Sequence, residues 1–531
     1  MKNKLVLPIL IGLAATLGLL IGMFMNYPSR QFTLAQDETG EREQKIRQII
    51  DYIDFEYVDD VNTDSLLDIT ITDLLRRLDP HSTYIPLDEV AANEENIKGS
   101  FEGIGIEFRI FRDTLTVITV LENGPSDRAG LKAGNRILFA DGEALFGSEV
   151  TNQKVIERLK GEAGSKVKLD LYEPQSGRSF SKIVKRGEVP LKSVQAAFML
   201  NDETGYIKLI RFAETSDREV EEAIRKLKAK GVHQLVLDLR DNPGGLLGAA
   251  RDIADNFLGK NKMIVFTRDR DERKNEIYAT SEGLFEKGKL VVLINEGSAS
   301  ASEIVAGAVQ DNDRGVLVGR KSFGKGLVQE EIQLKDGSRM RLTTQRYYTP
   351  TGRSIQKPYG DYDEAFLKKN GYHDELPHQD SLRLKVNEFR TPSGRKVYGG
   401  GGIMPDVQVP FDTSRTAALI YHVSLATNLD SKAFLYVDEN RGKLTEWNVE
   451  EFKKDFTVDE TVIEFFFNEQ RDMVEKLDST TYDVLTARIK ASIASNLYGN
   501  EGYIKVYHSH DPIIQEALHQ LSGEYPWLIK P

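Results

Sequence analysis

Cysteine is absent from all 531 residues, which removes disulfides, thiolate nucleophiles and cysteine-based zinc sites together. Any nucleophile in this chain is an oxygen or an amine. A surplus of positive charge is also missing: 70 Lys+Arg stand against 82 Asp+Glu, and no basic cluster marks the chain for nucleic acid. Charge itself is missing from Leu5 to Met25, a run long enough at about 1.5 Å per residue to cross a hydrocarbon core. Lys2 and Lys4 precede it, so the positive-inside rule places that end in the cytoplasm and everything after Asn26 across the membrane. The run exceeds a usual signal h-region and no small-x-small site follows it directly, so residues 1–26 read as a membrane anchor or signal segment. The working part is expected to be exported, membrane-anchored and periplasmic.

A chain of this length predicts several packed units. Residues 27–43 are polar and read as a linker. In 44–92, Ile46, Ile49, Ile50 and Ile53, then Leu67, Ile71, Leu74, Leu75 and Leu78, recur at helical spacing until Asp79-Pro80. They predict two amphipathic helices with buried faces. Residues 93–187 change to short strand-like runs between glycine turns, interrupted by one helix near 150–160. There Gly103-Ile104-Gly105-Ile106 precedes a strand, where exposed backbone N–H groups can catch a peptide carboxylate and the strand edge can accept an added strand. With Gly124-Pro125-Ser126, Ala129-Gly130-Leu131 and Gly134-Asn135-Arg136-Ile137-Leu138, this stretch resembles a PDZ domain, departing from the usual acidic residue at Asn135.

Residues 188–357 with 400–410 alternate strand and helix: apolar runs Leu235 to Leu239, Leu290 to Ile294 and Val316 to Val318 predict strands buried on both faces. Ser216 with Glu219 predicts a capping box. Between 358 and 399 lies an insertion, where Thr349-Pro350-Thr351-Gly352-Arg353 is echoed by Thr391-Pro392-Ser393-Gly394-Arg395 and suggests paired strands. Residues 411–531 read as a helical domain, with a helix through Leu485, Ile489, Ile493 and Leu497 closed by Gly499.

The chemistry-bearing segments lie in the alternating region. Ser298, Ser300 and Ser302 alternate with alanines at a helix start, where small neighbours admit a substrate backbone and the Ala301 N–H can meet an oxyanion. Ser300 with Glu303 also has capping-box spacing, so a structural role competes, and spacing does not choose among the three hydroxyls. Lys325, between glycines and near Phe323 and Leu327, suits a packed loop where desolvation lowers an amine's pKa, with Gln329 placed to orient it. A neutral lysine can take a serine proton, which points to peptide-bond hydrolysis. Asp238-Leu239-Arg240-Asp241-Asn242-Pro243-Gly244-Gly245 ends a buried strand and can aim an N–H at an oxyanion, against the plain reading of a strand-helix turn. His81 beside Ser82 reads as a local turn, and His508-Ser509-His510-Asp511 as a solvated loop without a metal set. No metal or cofactor is expected.

Leu78-Asp79-Pro80-His81-Ser82, the PDZ-like stretch, Asp238 to Gly245, Ser298 to Glu303 with Ala306-Gly307, and Phe323-Gly324-Lys325-Gly326 with Gln329 together resemble the carboxyl-terminal processing peptidases, or tail-specific proteases. The resemblance implies a ClpP/crotonase-like core, Ser300 as nucleophile, Lys325 as general base, Gln329 as its partner, and Gly245 and Ala301 N–H groups as the oxyanion hole. It implies protein substrates with exposed C-terminal tails, and leaves a homo-oligomer open. The insertion and helical tail depart from the pattern. The rival readings are a membrane-tethered PDZ scaffold or chaperone with an inactive core, and a crotonase-like acyl-CoA enzyme, which gives no reason for a Ser-Lys pair.

Overall fold

The structure, a computed structural model, describes residues 39–280, 283–359, 362, 387–468, 471–474 and 476–523. The 1–26 segment and most of the 358–399 insertion lie outside these residues. Among the described residues no helix is long and apolar enough to cross a membrane.

Residues 1–73 and 74–531 form two units. In the first, the Thr39–Glu56 helix and the start of Thr63–Arg76 carry the expected periodicity; Ile46 and Ile49 are 60% and 52% exposed, while Ile50, Ile53, Leu67 and Ile71 are half-buried. In the second unit Leu74 and Leu78 are also exposed, and Leu75 is buried. The expectation of buried faces thus holds only in part: periodicity reports amphipathicity, not how fully a face is covered.

At the centre of the second unit is a six-stranded sheet ordered Val194–Met199, Thr204–Leu209, Gln234–Asp238, Lys289–Ile294, Val316–Gly319 and Val407–Gln408. The first pair is antiparallel and the others are parallel. Side chains alternate across it. Leu235, Leu237, Leu290, Val292, Ile294 and Leu317 face a core shared with the helices Ser216–Lys228, Leu247–Asp255 and Ala301–Asp311. Val236, Val291, Leu293, Val316 and Val318 face Ile513, Ile514, Ala517 and Leu521 of the Pro512–Ser522 helix. The end of the helical tail thus covers the sheet's second face, which explains the near-continuous apolar strands.

A second, antiparallel sheet is built around Arg339–Tyr348, which pairs with Thr83–Ile85, Met263–Asp269 and Leu327–Gln333. The β-rich unit leaves the core through a two-stranded stem, Ser100–Gly103 against Gly187–Pro190. Its antiparallel sheet runs Ile106–Phe111, Thr114–Val120, Arg136–Ala140, Lys166–Glu173 and Arg178–Lys185, making Ile106–Phe111 an edge strand. The helical domain has its own core, including Phe452, Phe466, Leu485 and Ile489, and touches the β-rich unit through Arg136–Asp438 at 2.5 Å and the Phe111–Phe434 rings.

Two local expectations are corrected and one holds. Glu219 does not close a capping box on Ser216; its carboxylate accepts the N–H groups of Ser193 and Val194 at 2.7 and 3.0 Å, tying the helix start to the neighbouring strand. Gly499 closes its helix as expected: its backbone, at φ 70 and ψ −167, is non-helical, and a second helix runs on from there to Tyr507. The second Thr-Pro-x-Gly-Arg echo does lie between paired strands, Glu388–Arg390 against Lys396–Tyr398, but the two echoes do not pair with each other. Each closes its own turn, with Gly352 and Gly394 at φ 89 and 87, and each anchors to the end of the Ala301–Asp311 helix. Thr351 N–H reaches Asp311 and Ser393 N–H reaches Asp313, at 3.0 and 2.7 Å.

Candidate active site

The central strand Gln234–Asp238 delivers the glycine turn. Burial pushes the Asp238 carboxyl up, but Arg240 at 2.6 Å, Lys208 at 3.1 Å and the Tyr206 hydroxyl at 2.6 Å outweigh it and hold the group below the usual carboxylate range. Arg240 also binds Asp511 at 2.8 Å, so the His508 to Asp511 segment is not the solvated loop expected: Asp511 caps the last helix and joins it to the site's strand.

Beyond Arg240, buried Asn242 braces the turn from within. Its Nδ2 donates to Leu209 O at 2.9 Å, its Oδ1 accepts Gly244 N–H at 2.9 Å, and its carbonyl accepts Ala299 N–H at 3.0 Å. Gly244 and Gly245 have φ 99 and 146, a region that suits glycine. The packing demands glycine as well: a Cβ at 244 would lie 2.9 Å from both Ser300 Cβ and the Ala301 nitrogen, and one at 245 would lie 2.1 Å from Phe212 O.

Among the three serines the structure separates roles that spacing left open. Ser298 Oγ donates to Leu239 O at 2.8 Å and accepts Asn295 N–H at 2.9 Å, while Ser302 Oγ donates to Asn242 O at 2.9 Å. Both are buried struts. Ser300 instead lines a cavity of about 760 Å³ together with Gly245, Ala301, Lys325 and Gln329. It has φ 54 and ψ −112, a sparsely populated backbone state that costs about 1–3 kcal/mol and concentrates at functional sites. Ala301 opens the helix, where the first N–H groups have no intrahelical acceptor. Among the described residues no backbone acceptor meets the N–H of Gly245 or Ala301.

Lys325 keeps part of its surface on the cavity. Burial pushes its amine down to about 8 and nearby Arg341 pushes the same way, against Asp79 and Glu303. Its Nζ donates to Gln329 Oε1 at 2.7 Å, and Gln329 Nε2 donates to the carbonyl of His81. His81 is thus no isolated turn residue: its carbonyl fixes the amide that holds the lysine. Its ring, bonded to the Tyr362 hydroxyl at 2.8 Å, is pushed down to about 3 by burial and by Lys325 and Lys357.

Glu303, read from the sequence only as a helix-capping partner, and Tyr347, not singled out there, complete the arrangement. Glu303 is fully buried, and burial raises its carboxyl to about 7 against the hydrogen bonds it accepts. Its Oε2 accepts the N–H groups of Ser300 and Lys325, each at 2.9 Å, and its Oε1 accepts Ser322 Oγ at 2.6 Å and Gly324 N–H at 2.8 Å. The capping-box spacing was a signal for its bond to Ser300; nothing in the sequence announced the bond to Lys325. Tyr347, inward-facing at the end of Arg339–Tyr348, places its hydroxyl on the carbonyls of Ser300 and Lys325.

Gly103, Ile104, Gly105 and Ile106 do not line this cavity. Ile104 O and Gly105 O accept Ser126 and Leu121 N–H groups inside the β-rich unit, and Ile106 begins its edge strand.

The sequence profile of peptidase family S41 matches residues 203–364, and that of a family of unknown function (DUF8443) matches 421–499. The chain is 34% identical over 347 residues to a carboxy-terminal-processing protease of Bartonella bacilliformis, covering 63% of this chain and 78% of the relative. It is 31% identical over 357 residues to carboxy-terminal processing protease CtpB of Bacillus subtilis, with 66% and 73% covered. A solved photosystem II D1 C-terminal processing protease is 26% identical, with 70% and 87% covered and a TM-score of 0.36.

Proposed function

Because the chain belongs to peptidase family S41, among the carboxy-terminal processing serine proteases, we propose that it cleaves proteins near their C-terminal tails through a Ser300–Lys325 acyl-enzyme mechanism. The observation that carries this reading is the shared cavity. It holds a serine in a strained backbone state and an amine whose burial keeps it near 8.

Neutral Lys325 Nζ takes the proton as Ser300 Oγ attacks the scissile carbonyl carbon. The carbonyl oxygen gains charge, and the N–H groups of Gly245 and Ala301 receive it, each such donor being worth about 3 kcal/mol in known hydrolases. On collapse the C–N bond breaks and the lysine proton passes to the departing amine. Lys325, neutral again, then takes a proton from water as that water attacks the ester, and returns it to Ser300 Oγ. Gln329 accepts from Nζ throughout and keeps the amine aimed.

The 93–187 unit, read as PDZ-like, captures the substrate's C-terminus by strand addition along Ile106–Phe111, with the Gly103 to Ile106 loop at the carboxylate. A ClpP/crotonase-like relationship of the core belongs to the same reading, supported by its mostly parallel sheet. So do export, a membrane tether through residues 1–26, and a possible homo-oligomer.

The test is incubation of the full chain with a protein bearing an apolar C-terminal tail, followed by mass spectrometry. Ser300→Ala and Lys325→Arg should keep the fold and lose cleavage, since arginine stays protonated. Tail binding without new fragments by the wild-type chain would favour a scaffold, and turnover by Ser300→Ala would reassign the nucleophile.

A further inference from the structure

Ser300 and Lys325 come from different segments, a helix start and a loop ahead of a strand, so something must set their separation. Their N–H groups meet at one atom, Glu303 Oε2. Their carbonyls also meet at one atom. The Tyr347 hydroxyl lies 3.0 Å from Ser300 O and closer still to Lys325 O. We propose that Tyr347 is a positioning residue for the Ser300–Lys325 pair, its phenol holding the two main chains together at their carbonyls as Glu303 holds them at their N–H groups. The inference rests on the Ser-Lys reading above.

The two carbonyls do not depend on Tyr347 equally. Ser300 O also accepts the helix N–H groups of Glu303 and Ile304, at 2.8 and 3.0 Å. For Lys325 O the phenol is the donor the structure places there. Tyr347 also takes hold of this loop through its own N–H, which donates to Gly326 O at 3.0 Å. Loss of the hydroxyl therefore frees the base more than the nucleophile. The ring is 1% exposed, and burial holds the phenol well above its ordinary pKa, so it remains a donor wherever the enzyme works. A loosened Lys325 gains water, and water restores basicity that burial had removed.

The experiment compares wild type, Tyr347→Phe, 4-aminophenylalanine at position 347, Tyr348→Phe and Ser300→Ala, each full length, on a tail-bearing peptide from pH 6 to 10. Tyr348 stacks on Phe266 with 5.0 Å between ring centroids and does not line the cavity, so its variant is the control. Tyr347→Phe should lower kcat by about 10- to 100-fold with KM changed less than about threefold, the scale expected when a reacting group is slightly misplaced. Its acid limb should move to higher pH. 4-Aminophenylalanine, which restores a donor in the same shape, should recover both. Wild-type kcat and limb in Tyr347→Phe would overturn the proposal, as would a folded 4-aminophenylalanine variant as slow as phenylalanine. If Tyr347→Phe does not fold, the amino variant decides alone: wild-type limb and kcat support the clamp, and a folded but slow enzyme overturns it. Turnover by Ser300→Ala would instead overturn the Ser-Lys reading itself.

Discussion

The pH dependence of cleavage tests the base directly. An ordinary lysine titrates at 10.5, whereas burial, helped by Arg341, brings Lys325 to about 8. At pH 7 roughly one amine in ten is then neutral, against about one in three thousand at the ordinary value, a gain near 300-fold in the reactive form. Part of that gain is returned, because a weaker base takes the serine proton less readily. Since Lys325 must lose its proton before it can accept one, activity rises with pH through the folded pKa. The assay is kcat/KM for a fluorogenic peptide with an apolar free C-terminus, from pH 5.5 to 10. We expect a tenfold rise per pH unit up to about 8 and a plateau above 9. Glu303, raised to about 7 by burial, adds a second step. Below that pH its carboxyl gains a proton and competes with the N–H groups it receives, so the slope should steepen toward two. A flat profile, or a limb centred near 10.5, would refute a desolvated lysine base.

Three further outcomes follow from packing. Gly245→Ala should cost more than about 3 kcal/mol or abolish cleavage, because its Cβ would sit 2.1 Å from Phe212 O, and thermal melting with a peptide assay checks both. Ile514→Ala, in the helix that covers the central sheet, should lower stability by about 2–5 kcal/mol in urea melts while leaving KM unchanged. Asp438→Lys places like charges at the 2.5 Å contact with Arg136 and should expose the junction of the β-rich and helical units to limited proteolysis, with the Arg136→Asp, Asp438→Arg double exchange restoring most of the protection.

Much of this architecture was readable before any coordinates. Leu235 to Leu237 and Leu290 to Ile294 are apolar at every position because helices cover both faces of their sheet, and such runs are visible without knowing what covers them. Which element supplied the second cover was not visible, since Ile513 and Ile514 look like any apolar helix pair. The residues around the cavity were accessible for a similar reason. Gly244, Gly245, Ser300 and Lys325 carry local chemical signatures, a turn that only glycine suits and a lysine between glycines. Tyr347 and the His81 carbonyl carry none: a tyrosine in a strand and a backbone oxygen acquire their roles only when the Arg339–Tyr348 sheet folds against the loop. Side-chain direction misled at Glu219, where capping-box spacing was present but Ser193 and Val194 offered better donors. Gly499 was legible because its backbone, at φ 70 and ψ −167, suits glycine alone and breaks the helix there.

The electrostatic arrangement explains why a buried glutamate can sit so near a base that must be uncharged. A bare carboxylate beside Lys325 would hold the proton on the amine, and Glu303 and Asp79 do act in that direction. Glu303, however, spends its lone pairs on four donors, three of them backbone N–H groups, so much of its field is answered locally. Asp79 likewise accepts His81 N–H at 2.8 Å, Ser82 N–H at 2.9 Å and Ser82 Oγ at 2.6 Å. On the other side, Arg341 repels the protonated amine, yet its guanidinium is paired with Glu331 at 2.6 Å and its push is moderated. With the charged neighbours muted on both sides, desolvation is left as the largest influence on the lysine. Desolvation depends on how tightly the loop is packed, which is why the main-chain ties at Glu303 and Tyr347 bear on the chemistry and not only on the fold.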